Sequence, residues 1–276
     1  MADFNQKLIC LLTDFGSKGQ HYIASMKAII LKINPNIKIV DISHQITPYS
    51  IIEANYVLKT TYKYFPQGTV FVTVIDPGVG SSREILAFKT KSNYYFIGPN
   101  NGIFTDIFTN NIIECVEIQN NEFFQKPVSN TFHGRDIMAP VSAHLLSGIP
   151  LNRFGPNFNL NNLKEAPLIY DINIKKKIIN CVIQCIDNFG NGTTNIPIIN
   201  NEVQNSELLL SENMKINVNI RGETYEGIFT SHFSSVPIKS IIFLVGSTGF
   251  LEISLNQGNA SKALGFKVGD TITIKL

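Results

Sequence analysis

No stretch of this 276-residue chain approaches eighteen uninterrupted apolar residues, so a helical membrane span is not expected. The N-terminal apolar run, LICLL, is too short for a secretory signal, and no small-residue cleavage pattern follows it; the expected compartment is the cytoplasm. Cysteine is scarce, with four residues: Cys10, Cys115, Cys181 and Cys185. Most of them lie inside apolar, strand-like runs. The CxxxC spacing of Cys181 and Cys185 has no histidine nearby, so buried thiols are expected rather than a metal or redox centre. Charge is low as well, at 16% with a net +2, and its one basic run, Lys175 to Lys177, reads as the solvated entrance to a strand. Without a basic stripe or an RNA- or DNA-binding signature, nucleic acid is not an expected partner. GxGxxG and Walker A patterns are missing too, so a phosphate-bearing dinucleotide is not indicated. There is no internal repeat.

What is present is an apolar share of 44%, enough for a substantial core. The first half alternates strand and helix patterns. LICLL (8–12), IKIVDI (37–42) and TVFVTVI (69–75) read as strands, and EILAFKT and NYYFIG as two short ones. Residues 19–35 read as a helix with Ile23, Met26, Ala28, Ile30 and Ile33 on one face, and residues 50–66 as a second, each ended by proline. A third helix is expected over 134–148, where Pro140 implies a start near Asp136 or a kink. After about residue 150 the runs shorten and become β-branched: IINCVIQCI, MKINVNI, IIFLV, FLEISL and DTITIKL. The expectation is an α/β N-terminal domain with a mostly parallel sheet over 1–155, a linker over 156–167, and an antiparallel, barrel-like β domain over 168–276.

In an open α/β sheet, ligands bind beyond the carboxyl ends of the strands. Asp14, Asp76 and the GPNNG turn all follow strands, and His133 stands before a helix on what can be the same edge. Asp14 admits two readings, a turn or cap residue and a carboxylate that accepts hydrogen bonds from a ribose diol. Asp76 and Arg83 admit a structural ion pair across a turn, His133 a helix-entry or satisfied core histidine, Asp136 a helix cap and Arg135 a surface residue.

Six motifs then occur in order: TDFG (13–16), IDPGVGSSR (75–83), GPNNG (98–102), TFHGRD (131–136), IDNFGN (186–191) and VGSTGFLEI (245–253). Together they resemble the S-adenosyl-L-methionine (SAM) hydroxide adenosyltransferases, hydrolases related to the fluorinases and chlorinases. The resemblance runs from about residue 8 to the C-terminus. It implies attack of water or hydroxide on C5′ of SAM, giving adenosine and L-methionine, with a small-molecule substrate and no cofactor or metal. It also implies a homotrimer with sites at subunit interfaces. The family's water-positioning Asp, Arg and His fall on Asp76, Arg83 and His133. Asp14 resembles the ribose-diol ligand, Asp187 the residue that meets the methionine ammonium, Phe189 and Asn191 the segment beside adenine, and Ser247 the hydroxyl near the methionine carboxylate. Thr248 stands where the fluorinases carry arginine, which leaves that carboxylate without an assigned cation. Asp76 and Val79 replace their Tyr and Thr, and Gly134 their halide-contacting serine. A carboxylate at Asp76 repels a bare halide unless Arg83 offsets it, so water is favoured over fluoride or chloride. Two readings of other classes stand beside this one. A non-catalytic SAM or adenosine sensor has no need of Asp76, Arg83 and His133 together, and a metallohydrolase would use Asp14, Asp76, His133 and Asp136.

Overall fold

The computed structural model describes residues 7–108 and 111–276. They form two compact units, one ending at Ala166 and the other running from Pro167 to Leu276.

The first unit is built from β1 (Leu8–Thr13), α1 (Gln20–Ile33), β2 (Lys38–Ser43), α2 (Ile51–Thr61), β3 (Val70–Val74), β4 (Ile85–Thr90), β5 (Tyr95–Pro99), α3 (Thr105–Phe108), β6 (Ile112–Glu117) and α4 (Ala139–Leu146). β1 and β3 are buried along their whole length, as expected of strands covered on both faces. Alternate side chains separate two cores. Ile9, Leu11, Val70, Val72 and Val74 pack with Met26 and Ile30 of α1 and with Val141 and Ala143 of α4. Cys10, Leu12, Phe71 and Phe96 pack on the other face with Ala54 and Leu58 of α2. There Phe96 stacks between Phe71 and Phe88, with ring centroids 5.1 Å apart on each side. Each such ring contributes about 1.5–3 kcal/mol by leaving water.

The sheet order is β2-β1-β3-β5-β4-β6. β2, β1, β3 and β5 run parallel, whereas β4 is antiparallel to both of its neighbours. The carboxyl ends of β1, β3 and β5 therefore share one edge with the beginning of β4.

Two helices differ in detail from the sequence expectation. In α1 the buried residues are Ile23, Met26 and Ile30, while Ala28 faces solvent. Two residues from Met26 is about 200° around the helix, so Ala28 falls on the opposite side. The third helix begins at Gly134 with a wide π-type turn that runs to Met138, and α4 continues from it. Pro140 cannot donate to the Asp136 carbonyl four residues back; the Gln125 N–H takes that carbonyl instead, at 2.9 Å. Residues 156–166 are tied to this unit by the Phe158 N–H on the Cys115 carbonyl (2.9 Å), the Lys164 N–H on Asn100 Oδ1 (3.0 Å) and the Ala166 N–H on Thr105 Oγ1 (2.7 Å).

The second unit contains β7 (Asp171–Asn173), β8 (Ile178–Ile186), β9 (Gly192–Ile199), β10 (Glu202–Val203), β11 (Lys215–Ile220), β12 (Glu223–Phe229), β13 (Ile241–Val245), β14 (Phe250–Leu255) and β15 (Thr271–Lys275). Seven of them, in the order β9-β14-β13-β12-β11-β15-β8, close into a barrel through the pairing of β8 with β9. The barrel is mostly antiparallel, and β12 with β13 is a parallel pair. Ile183, Ile196, Phe243, Leu251 and Ile253 fill its interior. Cys10, Cys115 and Cys181 are buried as expected, but Cys185 is only half-buried. It follows an irregular step in the β8–β9 register after Ile183, which breaks the alternation that would have kept it on the same face as Cys181.

Candidate active site

Thr13 of β1 stands in register with Val74 of β3, so Asp14 and Asp76 emerge from adjacent strand ends. Past Asp76 the DPGVGSS loop turns through the Val79 N–H on the Asp76 carbonyl (3.2 Å) and the Ser81 N–H on that of Gly78 (3.1 Å). It then delivers Arg83 to the start of β4. Arg83 Nε lies 2.9 Å from both carboxylate oxygens of Asp76, and its Nη2 also donates to Oδ2. The two side chains are 8% and 4% exposed, which makes this a buried ion pair.

Arg83 Nη2 also lies 3.0 Å from His133 Nδ1. A guanidinium only donates, so Nδ1 is the acceptor; the ring is neutral and carries its proton on Nε2. Burial and the Arg83 charge hold the His133 pKa below the ordinary imidazole value, against an opposing pull from Asp76 and Asp136.

Two glycines let these loops meet. Gly80 has φ +79°, and a Cβ there would come within 2.3 Å of the Asn130 carbonyl oxygen. A Cβ on Gly134 would lie 2.9 Å from Val74 Cγ1. The GPNNG turn braces both stems of the loop: Asn101 Nδ2 donates to the Ile75 carbonyl (2.8 Å), and the Asn100 N–H to that of Glu84 (2.9 Å).

Asp14 faces the same space, with its Oδ2 accepting the Tyr49 N–H at 2.8 Å. A carboxylate oxygen has two lone pairs, so this bond leaves capacity for a diol. Burial raises the Asp14 pKa, the Tyr49 N–H and its own backbone N–H oppose the rise, and Asp76 adds to it. Tyr49 is itself in the left-handed region at φ 66°. Its loop is held by the first turn of α2, where Ser50 Oγ accepts the Glu53 N–H (3.2 Å) and Glu53 accepts the Thr47 N–H (2.8 Å). Asp14, Phe15, Tyr49, Asp76, Phe132 and His133 are among the residues lining a cavity of about 340 Å³. That lies within the range of about 300–1,000 Å³ usual for small-molecule sites.

Sequence reasoning did not single out Phe15, Tyr49 or Phe132. Tyr49 contributes a backbone N–H, which leaves no side-chain signature; Phe15 and Phe132 lie inside motifs whose polar members drew attention first. Among the described residues no group of three His, Cys, Asp or Glu side chains is placed to hold a metal ion. Asp76 and Asp136 are each paired with an arginine instead.

The remaining candidates belong to the barrel unit. Asp187 opens the turn between β8 and β9. Its Oδ1 accepts the N–H groups of Phe189 and Asn191, both at 2.9 Å, and its Oδ2 the Asn191 side-chain amide, also at 2.9 Å. Phe189 is 75% exposed, whereas Asn191 is buried. Ser247 is exposed in the hairpin between β13 and β14. Glu252 of β14 lies against Gly246, where a Cβ would come within 2.1 Å of its Oε1, and it accepts the Thr193 hydroxyl at 3.3 Å. Burial, and secondarily Asp187, push its pKa up. In the sequence Glu252 lies inside the VGSTGFLEI motif and carries no signal of its own.

The model of the SAM hydroxide adenosyltransferase N-terminal domain matches residues 9–155, and that of the C-terminal domain residues 181–273. The chain is 38% identical over 282 residues to a protein of Methanocaldococcus jannaschii named (R)-S-adenosyl-L-methionine hydrolase, covering 99% of this chain and 98% of that one. It is 24% identical to a fluorinase of Actinoplanes sp., covering 97% of each. A crystal structure of an uncharacterized conserved protein from Thermotoga maritima superposes with a TM-score of 0.85 at 35% identity, covering 97% of this chain and 100% of that one.

Proposed function

The chain belongs to the SAM hydroxide adenosyltransferase family, and we propose that it hydrolyses S-adenosyl-L-methionine. The oxygen of water attacks C5′, the C5′–sulfur bond breaks with its electron pair passing to sulfur, and adenosine, L-methionine and one proton are released. The observation that carries this reading is the continuous Asp76–Arg83–His133 group at the edge of the cavity.

The chemistry suits that group. The leaving sulfur is cationic before attack and neutral after it, so departure needs no acid and no metal. The difficulty lies with water, a poor nucleophile whose pKa is about 15.7 in bulk. The Arg83 guanidinium and His133 Nε2–H stabilise hydroxide character, and the Asp76 carboxylate orients the donors and accepts from the water. Fixing a water in line with C5′ in a largely dry cavity can lower the barrier by several kcal/mol, up to about 7–11 in favourable cases. Asp14 takes the ribose diol, Asp187 the methionine ammonium, Phe189 and Asn191 the adenine, and Ser247 the methionine carboxylate. We assign no cofactor, a homotrimeric assembly and a cytoplasmic location. Glycine at position 134 and the carboxylate at Asp76 favour water over a halide, in keeping with the higher identity to the named hydrolase than to the fluorinase.

Incubation with SAM in ¹⁸O-labelled water, followed by mass spectrometry, tests the reading. Equimolar adenosine and methionine are expected, with label in the 5′-hydroxyl and turnover unaffected by chelators. Unchanged SAM at high protein concentration would identify a sensor, and a 5′-chloro product in chloride a halide transferase.

A further inference from the structure

Arg135 stands two residues from His133 and has no role in the reading above. Its Nε donates to Asp136 Oδ1 at 2.6 Å and its Nη2 to Oδ2 at 2.9 Å. Asp136 is fully buried, and Oδ2 also accepts the Ser129 N–H at 2.8 Å. The Arg135 guanidinium carbon lies 5.2 Å from the centre of the Phe132 ring, within cation–π range. Phe132 in turn meets Phe15 edge-on at 5.7 Å and Tyr22 at 5.2 Å, and both Phe132 and Phe15 line the cavity. The arginine is thus anchored by a buried carboxylate and laid over the ring that forms a wall of the site.

We propose that Arg135 is a positioning residue with two effects: it clamps Phe132 in place as a cavity wall, and it offsets the Asp136 charge so that His133 stays the neutral acceptor of the Arg83 N–H. The groups that face His133 are Arg83 and Asp76 from the β3–β4 loop, Asp14 across the cavity from β1, and Asp136 with Arg135 on its own turn. Among them Asp76 and Asp136 favour the charged ring, and Arg83 disfavours it. An imidazolium cannot accept from Arg83 and would repel it. Turnover is therefore complete above the His133 pKa and lost as pH falls through it. Loss of the Arg135 charge leaves Asp136 uncompensated, raises that pKa and moves the acid limb to higher pH.

The test compares Arg135→Gln and Arg135→Lys in the full chain by steady-state kinetics across pH, and by NMR titration of the His133 ring. Its kinetic arm rests on the SAM reading. The titration does not, so a protein without SAM hydrolase activity would defeat that reading and still leave this one measurable. Arg135→Gln should raise KM about tenfold and move both the acid limb and the ring titration up by about half a pH unit or more. Arg135→Lys keeps the charge but not the planar fork, so it should restore the titration while KM stays high. A lowered melting temperature with unchanged KM and an unmoved titration overturns the proposal. Should Arg135→Gln fail to fold, wild-type KM in Arg135→Lys overturns the clamp, and an Arg135→Met titration at the wild-type position overturns the charge effect.

Discussion

Asp76 and Asp187 each stand at the mouth of a turn, yet the two carboxylates are held by different means. Asp76 is paired by the side chain of Arg83, which stands at the start of β4, the next strand along the chain and two places away in the sheet. Asp187 is satisfied within its own turn, by two backbone N–H groups and one amide no more than four residues away. The first arrangement exists only if β3, β5 and β4 pair as they do. The second is an Asx-type turn that local chain geometry closes by itself. Reactive geometry in the α/β unit is therefore a tertiary property, exposed to any change that moves a strand end, whereas the Asp187 carboxylate of the barrel is held by bonds within its own turn.

Replacing Arg83 by Ala should strike hardest. A fall in kcat of about 10³-fold is expected, with KM changed by no more than a few-fold. Calorimetry should show a destabilised protein as well, because a buried carboxylate stripped of its partner costs about 3–5 kcal/mol. Adding Asp76→Ala should restore part of the stability and none of the turnover; wild-type rates in Arg83→Ala would remove the basis of the assigned mechanism. A smaller effect is expected for Asp187→Asn. Its Oδ1 can still accept both backbone N–H groups, so the fold should hold while KM rises about tenfold and kcat stays within about twofold. A kcat loss as deep as that of Arg83→Ala would erase the contrast between the two carboxylates. The mildest change is Phe189→Ala. The side chain is 75% exposed, so stability should stay within about 0.5 kcal/mol, and titration calorimetry with adenosine should show a modest loss of affinity. Unaltered adenosine affinity would take Phe189 out of the site.

The parts of the molecule visible in the sequence are those set by short-range pattern. β1 and β3 are continuous apolar runs ending in turn residues, and the rule that ligands gather at carboxyl ends already picked out Asp14 and Asp76. The partnership of Asp76 with Arg83 was open between a structural and a functional pair, because the direction of β4 depends on its neighbours and not on its own residues. β9 is weakly marked in the sequence, since Pro197 lacks the N–H a strand interior uses; it is accommodated where the pairing with β14 shifts register between Phe250 and Glu252. The parallel β12–β13 pair is equally silent, since nothing in two β-branched runs specifies their relative direction. Arg135 and Phe132 read as a surface cation and an ordinary aromatic until the wide turn at Gly134 lays one over the other.

The reversed course of β4 has a consequence for how such a protein can change. Because β4 enters the sheet at the rim where β3 leaves it, residues 77–82 make a direct bridge between acid and cation. A β4 parallel to the rest would begin at the opposite rim and need a crossover of a dozen or more residues. The six residues between Asp76 and Arg83 thus set how the acid and the cation face the attacking species, and their freedom to vary is bounded by the close approach of Gly80 to the Asn130 carbonyl. A change of nucleophile on this scaffold would therefore involve both that short bridge and position 134, where any side chain meets Val74 of β3.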